Sequence, residues 1–169
     1  MPFRVLGIDP GFDRTGIGVI DQIGMKSVWV HHGCIHTDAG LSFSARLQGL
    51  RDGVRDALRE FRPQAAVVEH VFFQTNAKTA MRVGMARGVI LLSIMDEGVP
   101  LIELTPNQVK QGMTGWGGAD KKQMQAMVMT MLHLREIPRP DDAADALAMA
   151  IVGATLYPSL RQRSIVPSI

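Results

Sequence analysis

The stretch PDDAADALAMA, from Pro140 to Ala150, sets three aspartates at the head of an otherwise apolar, alanine-rich segment. On a helix, Asp142 and Asp145 (three apart) or Asp141 and Asp145 (four apart) would share a face. Asp141 follows Pro140 and precedes the alanines, which makes it the natural N-cap, its side chain turned back onto free N–H groups. That leaves Asp142 and Asp145 to act as a pair. Two further acids each end an apolar run: Asp9 closes RVLGID, and Glu69 ends the buried run in QAAVVEH. If these runs are neighbouring parallel strands, both carboxylates emerge at one sheet edge, where ligand sites of open α/β sheets form. Together the four acids are a candidate all-oxygen site for a hard cation such as Mg2+ or Mn2+. The competing reading is that acids favour the positive end of a helix. It covers Asp141 and Asp142 well and Asp145 less well, since Asp145 lies deeper, between Ala144 and Ala146.

The elements that must position these acids are legible in the apolar periodicity. RVLGID (Arg4 to Asp9) reads as a buried strand, PGFDRTG as a turn, and TGIGVID as a second strand whose glycines suggest close backbone approach. MKSVWVHHGCIH reads as a third strand, antiparallel to its neighbour. From Ser44 to Phe61 the period becomes helical, with Leu47, Leu50, Val54, Leu58 and Phe61 on one face. The strand ending at Glu69 follows, then a loop VFFQTN and a helix from about Ala77 to Glu97, with Gly98 as C-cap. Gly84 and Gly88 share one face of that helix, where another element could pack closely. VPLIEL is a fifth strand, and TPNQ places Thr105 as N-cap with Pro106 at the first helical position. GMTGWGGAD reads as a flexible, Gly-rich loop. A helix from about Lys121 to Leu134 turns Met124, Val128, Met131 and Leu132 inward. The last helix runs from Asp141 to about Tyr157, with residues 158–169 as a flexible tail. The expectation is a single mixed α/β domain over residues 1–157: an antiparallel meander of three strands, then parallel strands joined by helical crossovers.

Composition narrows the class. The 169 residues suit one compact domain, and 46% hydrophobic with 20% charged residues is globular rather than disordered. No apolar run reaches the roughly 20 residues of a membrane helix. The start MPFRVLGIDPG lacks a signal-peptide core, and the single Cys34 cannot form an internal disulfide, so a reducing, cytoplasmic setting is expected. Net charge is only +2. With four of the sixteen acids sequestered by metal, twelve would face eighteen Lys and Arg, a basic surface around an acidic pit. Such a layout suits a phosphodiester substrate. Lys78, Arg82 and Arg87, around the helix after VFFQTN, are candidate backbone-phosphate contacts.

Taken in order, GIDPG with TGIGVI, VVEHVFF, QVKQ, GADKKQMQAMV and DDAADALAMAI resemble the bacterial RuvC-type Holliday-junction resolvases, from about Val5 to Ile151. The resemblance implies a ribonuclease-H-like fold, a homodimer, metal-dependent symmetric nicking of two opposed strands of a four-way DNA junction during recombination and repair, and association with a branch-migration motor complex. Asp9, Glu69, Asp142 and Asp145 match the family's four acids. Lys110 and Lys121 match basic residues near the cleaved phosphate, with Lys122 the adjacent alternative. Phe72 matches an aromatic that stacks on a base near the crossover, and Phe73 is the next candidate. Two ions, Mg2+ or Mn2+, about 4 Å apart need a bridging carboxylate. Asp9 is the expected bridge, with Glu69 serving one ion and Asp142 and Asp145 the other.

Three other readings compete. His31, His32, Cys34 and His36 invite zinc, yet no second ligand pair has suitable spacing, since His70 and His133 lie in unrelated elements. GIDPGFDRTGIGV also resembles the phosphate hairpin of actin-like sugar kinases, which need a second domain to close over nucleotide. A branched-DNA-binding module of the same fold without catalysis would not need all four acids.

Overall fold

The structure, a computed structural model, describes residues 2–70 and 77–163, side chains excepted at 77–78 and 158–163. Five strands form one sheet: β1 (Phe3–Asp9), β2 (Arg14–Ile23), β3 (Lys26–His36), β4 (Ala65–Glu69) and β5 (Leu101–Leu104). The order across the sheet is β3-β2-β1-β4-β5. β1 pairs antiparallel with β2 and parallel with β4, and β4 pairs parallel with β5. The meander and the parallel half are those predicted from the sequence. Among the described residues five helices cover the sheet: α1 (Phe43–Phe61), α2 (Ala77–Asp96), α3 (Pro106–Thr114), α4 (Lys121–Met131) and α5 (Asp141–Arg163).

Strand alternation divides the core in two. Val5, Ala65, Val67 and Ile20 face α3, α4 and α5, whereas Leu6, Ile8, Ala66, Val68 and Val19 face α1 and α2. Val19 and Ile20 serve opposite layers by the same alternation, and the register shift beside them leaves Val30 of β3 as the extra residue of a bulge.

α5 lies directly on β1 and β2 because the facing residues have no side chains. A Cβ on Gly7 would come within 2.0 Å of the Ala146 carbonyl oxygen, one on Gly16 within 2.0 Å of the Asp142 carbonyl oxygen, and one on Gly18 within 2.5 Å of the Leu147 nitrogen. Gly7 and Gly18 are cross-strand partners, so these three glycines form one bare patch. On the helix side Ala143, Ala144, Ala146, Ala148 and Ala150 are fully buried. The close approach suggested by the glycines of TGIGVID is this contact, and it sets the height of the aspartate-bearing helix above the sheet.

Helix ends follow local chemistry. Thr105 caps α3 and Asp120 caps α4, each in a capping box with the glutamine three residues on. α4 stops at Met131 rather than running to Leu134. His133 takes a left-handed conformation (φ 51°), and the Leu134 and His133 N–H groups donate to the carbonyls of Met129 and Thr130, closing a Schellman motif. α5 continues past the predicted end at Tyr157 to Arg163; a proline such as Pro158 removes one N–H and bends a helix without forbidding its continuation. Residues 164–169 of the expected tail lie outside the described residues.

Asp141 is not the N-cap the sequence suggested. Its carboxylate accepts from Gln125 Nε2 at 3.1 Å and pairs with Lys121 Nζ at 3.1 Å, while the Pro140 carbonyl accepts from the Ala143 and Ala144 N–H groups. The head of α4 stands beside the head of α5, and a cationic donor outcompetes backbone N–H groups for the carboxylate.

Candidate active site

Asp9 and Glu69 end adjacent parallel strands in matched register, since Ile8 sits opposite Val68. Asp9 also faces Gly16 across the antiparallel pair, and the first turn of α5 lies over Gly16. The glycine contact thus delivers Asp145 to the sheet edge already occupied by Asp9 and Glu69. Asp9, Glu69 and Asp145 line a cavity of about 250 Å³ together with Lys110 from α3, Lys121 from α4 and an apolar floor that includes Val109, Met124 and Met149.

Like charges in a partly dry cup disfavour ionisation. Burial, then the charges of Glu69, Asp145 and Asp142, push the Asp9 carboxyl from its ordinary 3.8 to about 8, with Lys121 opposing. Burial and Asp145 raise Glu69. Burial raises Asp145, against the pull of Lys121. Three half-buried acids whose charged forms are disfavoured form a site short of cations.

Asp142 is placed differently. Arg14 Nε donates to its Oδ2, and Asp142 is absent from the cavity lining. Lys121 reaches 3.7 Å from Asp145 Oδ2. With these two cations in attendance, no three acid, His or Cys side chains among the described residues stand close enough to hold a metal as placed. The donor set itself fits a hard divalent ion: all oxygen, mutually repelling and half desolvated.

Of the other candidates, Lys121 lines the cavity whereas Lys122 is exposed and outside its lining. The Arg82 guanidinium lies 5.7 Å from the Phe12 ring centroid on the exposed side of α2. Arg87 has a different setting from the open phosphate contact expected of it: its Nε donates to the Glu69 carbonyl at 3.0 Å and its guanidinium pairs with Glu103. It braces the strand end that carries Glu69. Phe72 and Phe73 lie outside the described residues, as does the side chain of Lys78. The histidines of β3 are dispersed: the His31 ring stacks on Phe61 at 4.8 Å, while His32 Nδ1 accepts from Trp29 Nε1 at 2.9 Å.

Sequence reasoning missed Arg14 and Arg46. The Arg46 side chain, nearly buried, donates to Thr37 Oγ1, pairs with Asp13 and lies 4.2 Å from the Phe12 ring centroid. It pins the β1–β2 turn from which Arg14 reaches Asp142. A lone arginine gives no periodic or spacing signal, so neither role was readable.

The raised carboxyl groups make stability depend on pH. Asp9 holds its proton far more tightly in the folded chain than at its ordinary 3.8. The proton-linked stabilisation is therefore complete below about pH 4 and is lost as pH rises through about 8. In EDTA the melting temperature is expected to fall between about pH 6 and 9 by several degrees, and Asp9→Asn to flatten that slope. Added Mg2+ is expected to restore stability most at the high-pH end. Calorimetric scans across pH check both.

Comparison with known proteins agrees with this geometry. The family model for crossover junction endodeoxyribonuclease RuvC matches residues 5–153. The RuvC protein of Thermosipho melanesiensis is 50% identical over 147 residues, covering 87% of this chain and 94% of its own length. That of Rubrobacter xylanophilus is 51% identical over 150 residues, covering 89% and 84% respectively. Among solved structures, Thermus thermophilus RuvC in complex with a Holliday junction substrate superposes with a TM-score of 0.86 at 36% identity, covering 94% of this chain and 96% of the other. The fold is therefore ribonuclease-H-like, as the resemblance implied, and the chain belongs to the RuvC family of crossover junction endodeoxyribonucleases.

Proposed function

We propose that this chain resolves four-way DNA junctions by nicking two opposed strands, with chemistry at the cup of Asp9, Glu69, Asp142 and Asp145. The observation that carries the assignment is the convergence of three half-buried acids, Asp9, Glu69 and Asp145, on one cavity at the sheet edge together with two lysines. The four carboxylates would hold Mg2+ or Mn2+, two per site, with Asp142 exchanging Arg14 for metal. When bound, such ions lower the pKa of water and offset charge on the departing oxygen. Lys121 holds a positive charge where the phosphate would sit, and Lys110 stands across the same cavity. The apolar floor excludes water beneath them and strengthens every charge interaction in the cup. A synthetic four-way junction is expected to yield paired nicks with Mg2+ or Mn2+ and none in EDTA. Phosphorylated sugar with ATP, or junction binding without nicks under every metal, contradicts the reading.

Lys121 lies beside the reacting phosphate in this scheme. Lys121→Met is expected to lower the single-turnover rate about a hundredfold. Junction affinity should stay within about threefold, because one phosphate contact among several is a small part of binding. Rapid-quench nicking and gel shifts separate the two effects.

Paired cutting calls for two sites related by a twofold axis, which a homodimer supplies. The exposed face of α2 supports this: Met81, Met85, Leu92 and Met95 are solvent-exposed along one stripe, and nothing lies within 4 Å of a Cβ built on Gly84 or Gly88. A bare glycine pair flanked by exposed methionines and leucine suits the same face of a second copy. Leu92→Glu is expected to shift sedimentation from dimer to monomer and to replace paired nicks with single ones; a parental dimer with parental paired nicks would remove α2 from the interface. Delivery of junctions by a branch-migration motor complex, in the cytoplasm, belongs to the same proposal through family membership.

A further inference from the structure

Trp116 is 62% exposed, in the loop joining the two helices that bring lysines to the acidic cavity. An indole open to water is unfavourable unless something covers it. The loop around it is built rather than slack. The Gly115 N–H donates to the Gln111 carbonyl at 2.8 Å, closing α3. The Thr114 hydroxyl stands 2.9 Å from the carbonyl oxygens of Lys110 and Trp116 and accepts from the Trp116 N–H at 3.2 Å. The Asp120 N–H donates to Gln123 Oε1 at 2.9 Å, opening α4. The sequence-based expectation of a flexible loop gives way here to one tied at both ends.

The indole rests on this loop. A Cβ on Gly118 would come within 2.4 Å of Trp116 Cζ2, so the ring lies against the backbone of Gly118, which leaves room for it only as glycine. The rest of the ring is open. Lys110 is one helical turn before Thr114, so Trp116 lies within about 13 Å of it along the chain. That is a few nucleotides along a DNA strand. A preorganised aromatic platform at this range, beside a cavity that takes a phosphodiester, fits a nucleobase: every base has a π-face, and stacking needs no sequence match.

We infer that Trp116 stacks on an unpaired or splayed base of the junction strand, a few nucleotides from the phosphate cut at the cup, and so contributes a second, sequence-tolerant contact. This rests on the junction-cutting reading and extends it.

The chain has two tryptophans, so Trp29→Phe leaves Trp116 as sole reporter. Titrating this variant with a synthetic four-way junction in EDTA is expected to change Trp116 emission and to reduce acrylamide quenching at least about threefold. Trp116→Ala is expected to weaken junction binding about tenfold, the scale of one lost base–aromatic stack. Trp116→Phe should lose no more than about threefold. Salt slopes of all three proteins should run parallel, because no phosphate contact is removed. Unchanged emission and quenching at saturating junction, or parental affinity in Trp116→Ala, overturns the proposal. If the Trp29→Phe enzyme and the parent bind and cut while Trp116 stays unshielded, the stacking contact alone falls. If neither protein binds or cuts a junction, the junction-cutting reading falls with it.

Discussion

Replacing Asp9 with Asn is expected to lower junction nicking by at least about a thousandfold while junction affinity stays within about threefold of the parent. The asymmetry follows from position. Asp9 stands at the end of the central strand β1, where the charges of Glu69, Asp145 and Asp142 all act to raise its carboxyl. It is the group best placed to be shared between ions. Asparagine keeps the size and the oxygen but removes the charge that holds a cation. Affinity for DNA comes chiefly from lysines and arginines meeting phosphates, and losing an acid weakens none of these. A gel shift and a nicking assay on the same preparation separate the outcomes. Equal loss of both would assign Asp9 to structure instead. Melting in EDTA gives an independent check: the variant should match or exceed the parent at about pH 8, because a repelled, desolvated charge has been removed.

The second large effect is expected from Gly16→Ala, a change of one methyl group outside the acidic cluster. The new Cβ would lie 2.0 Å from the Asp142 carbonyl oxygen and 3.0 Å from the Ala143 nitrogen, both backbone atoms of the first turn of α5. No side-chain rotation relieves a backbone clash, so the helix head must lift. Overpacking of this kind costs about 1–3 kcal/mol or more. The lift also moves Asp142 and Asp145 away from Asp9 and Glu69, and displacement of about 1 Å in a catalytic constellation costs on the order of a hundredfold. Gly16→Ala should therefore fold with a melting temperature lower by several degrees and cut at least about a hundredfold more slowly even where it is fully folded. Gly49→Ala, where a Cβ meets nothing within 4 Å on helix α1, is the matched control and should do neither. Parental cutting by Gly16→Ala would break the link between the glycine patch and the site.

Much of this architecture was legible in the residues themselves. Asp9 and Glu69 could be placed at one sheet edge because apolar runs ending in an acid read as buried strands, and the parallel pairing of β1 with β4 brings those ends together. The bare strand glycines announced a close approach but not its partner; only the fold says that α5 fills it. Asp145 stood out because it is too deep for capping to explain, and it does line the cavity. The detailed duties of Asp141 and Asp142 were not, since they depend on Lys121, Gln125 and Arg14, which come from other elements. Arg87 illustrates the same limit: on a helical wheel it is one more surface cation, and in the fold it donates to the Glu69 backbone. Local pattern fixes strands, helices and their buried faces. Pairings between side chains distant in the chain need the packed structure.

Diffraction from crystals soaked in Mn2+, recorded where manganese scatters anomalously, tests the central idea most directly. The account predicts anomalous peaks in the cup, about 2.0–2.3 Å from carboxylate oxygens of Asp9 and Asp145, with Asp142 turned away from Arg14 and the peaks lost in Asp9→Asn. Peaks bound elsewhere, or manganese in the cup that leaves Asp9 without contact to it, would contradict the account.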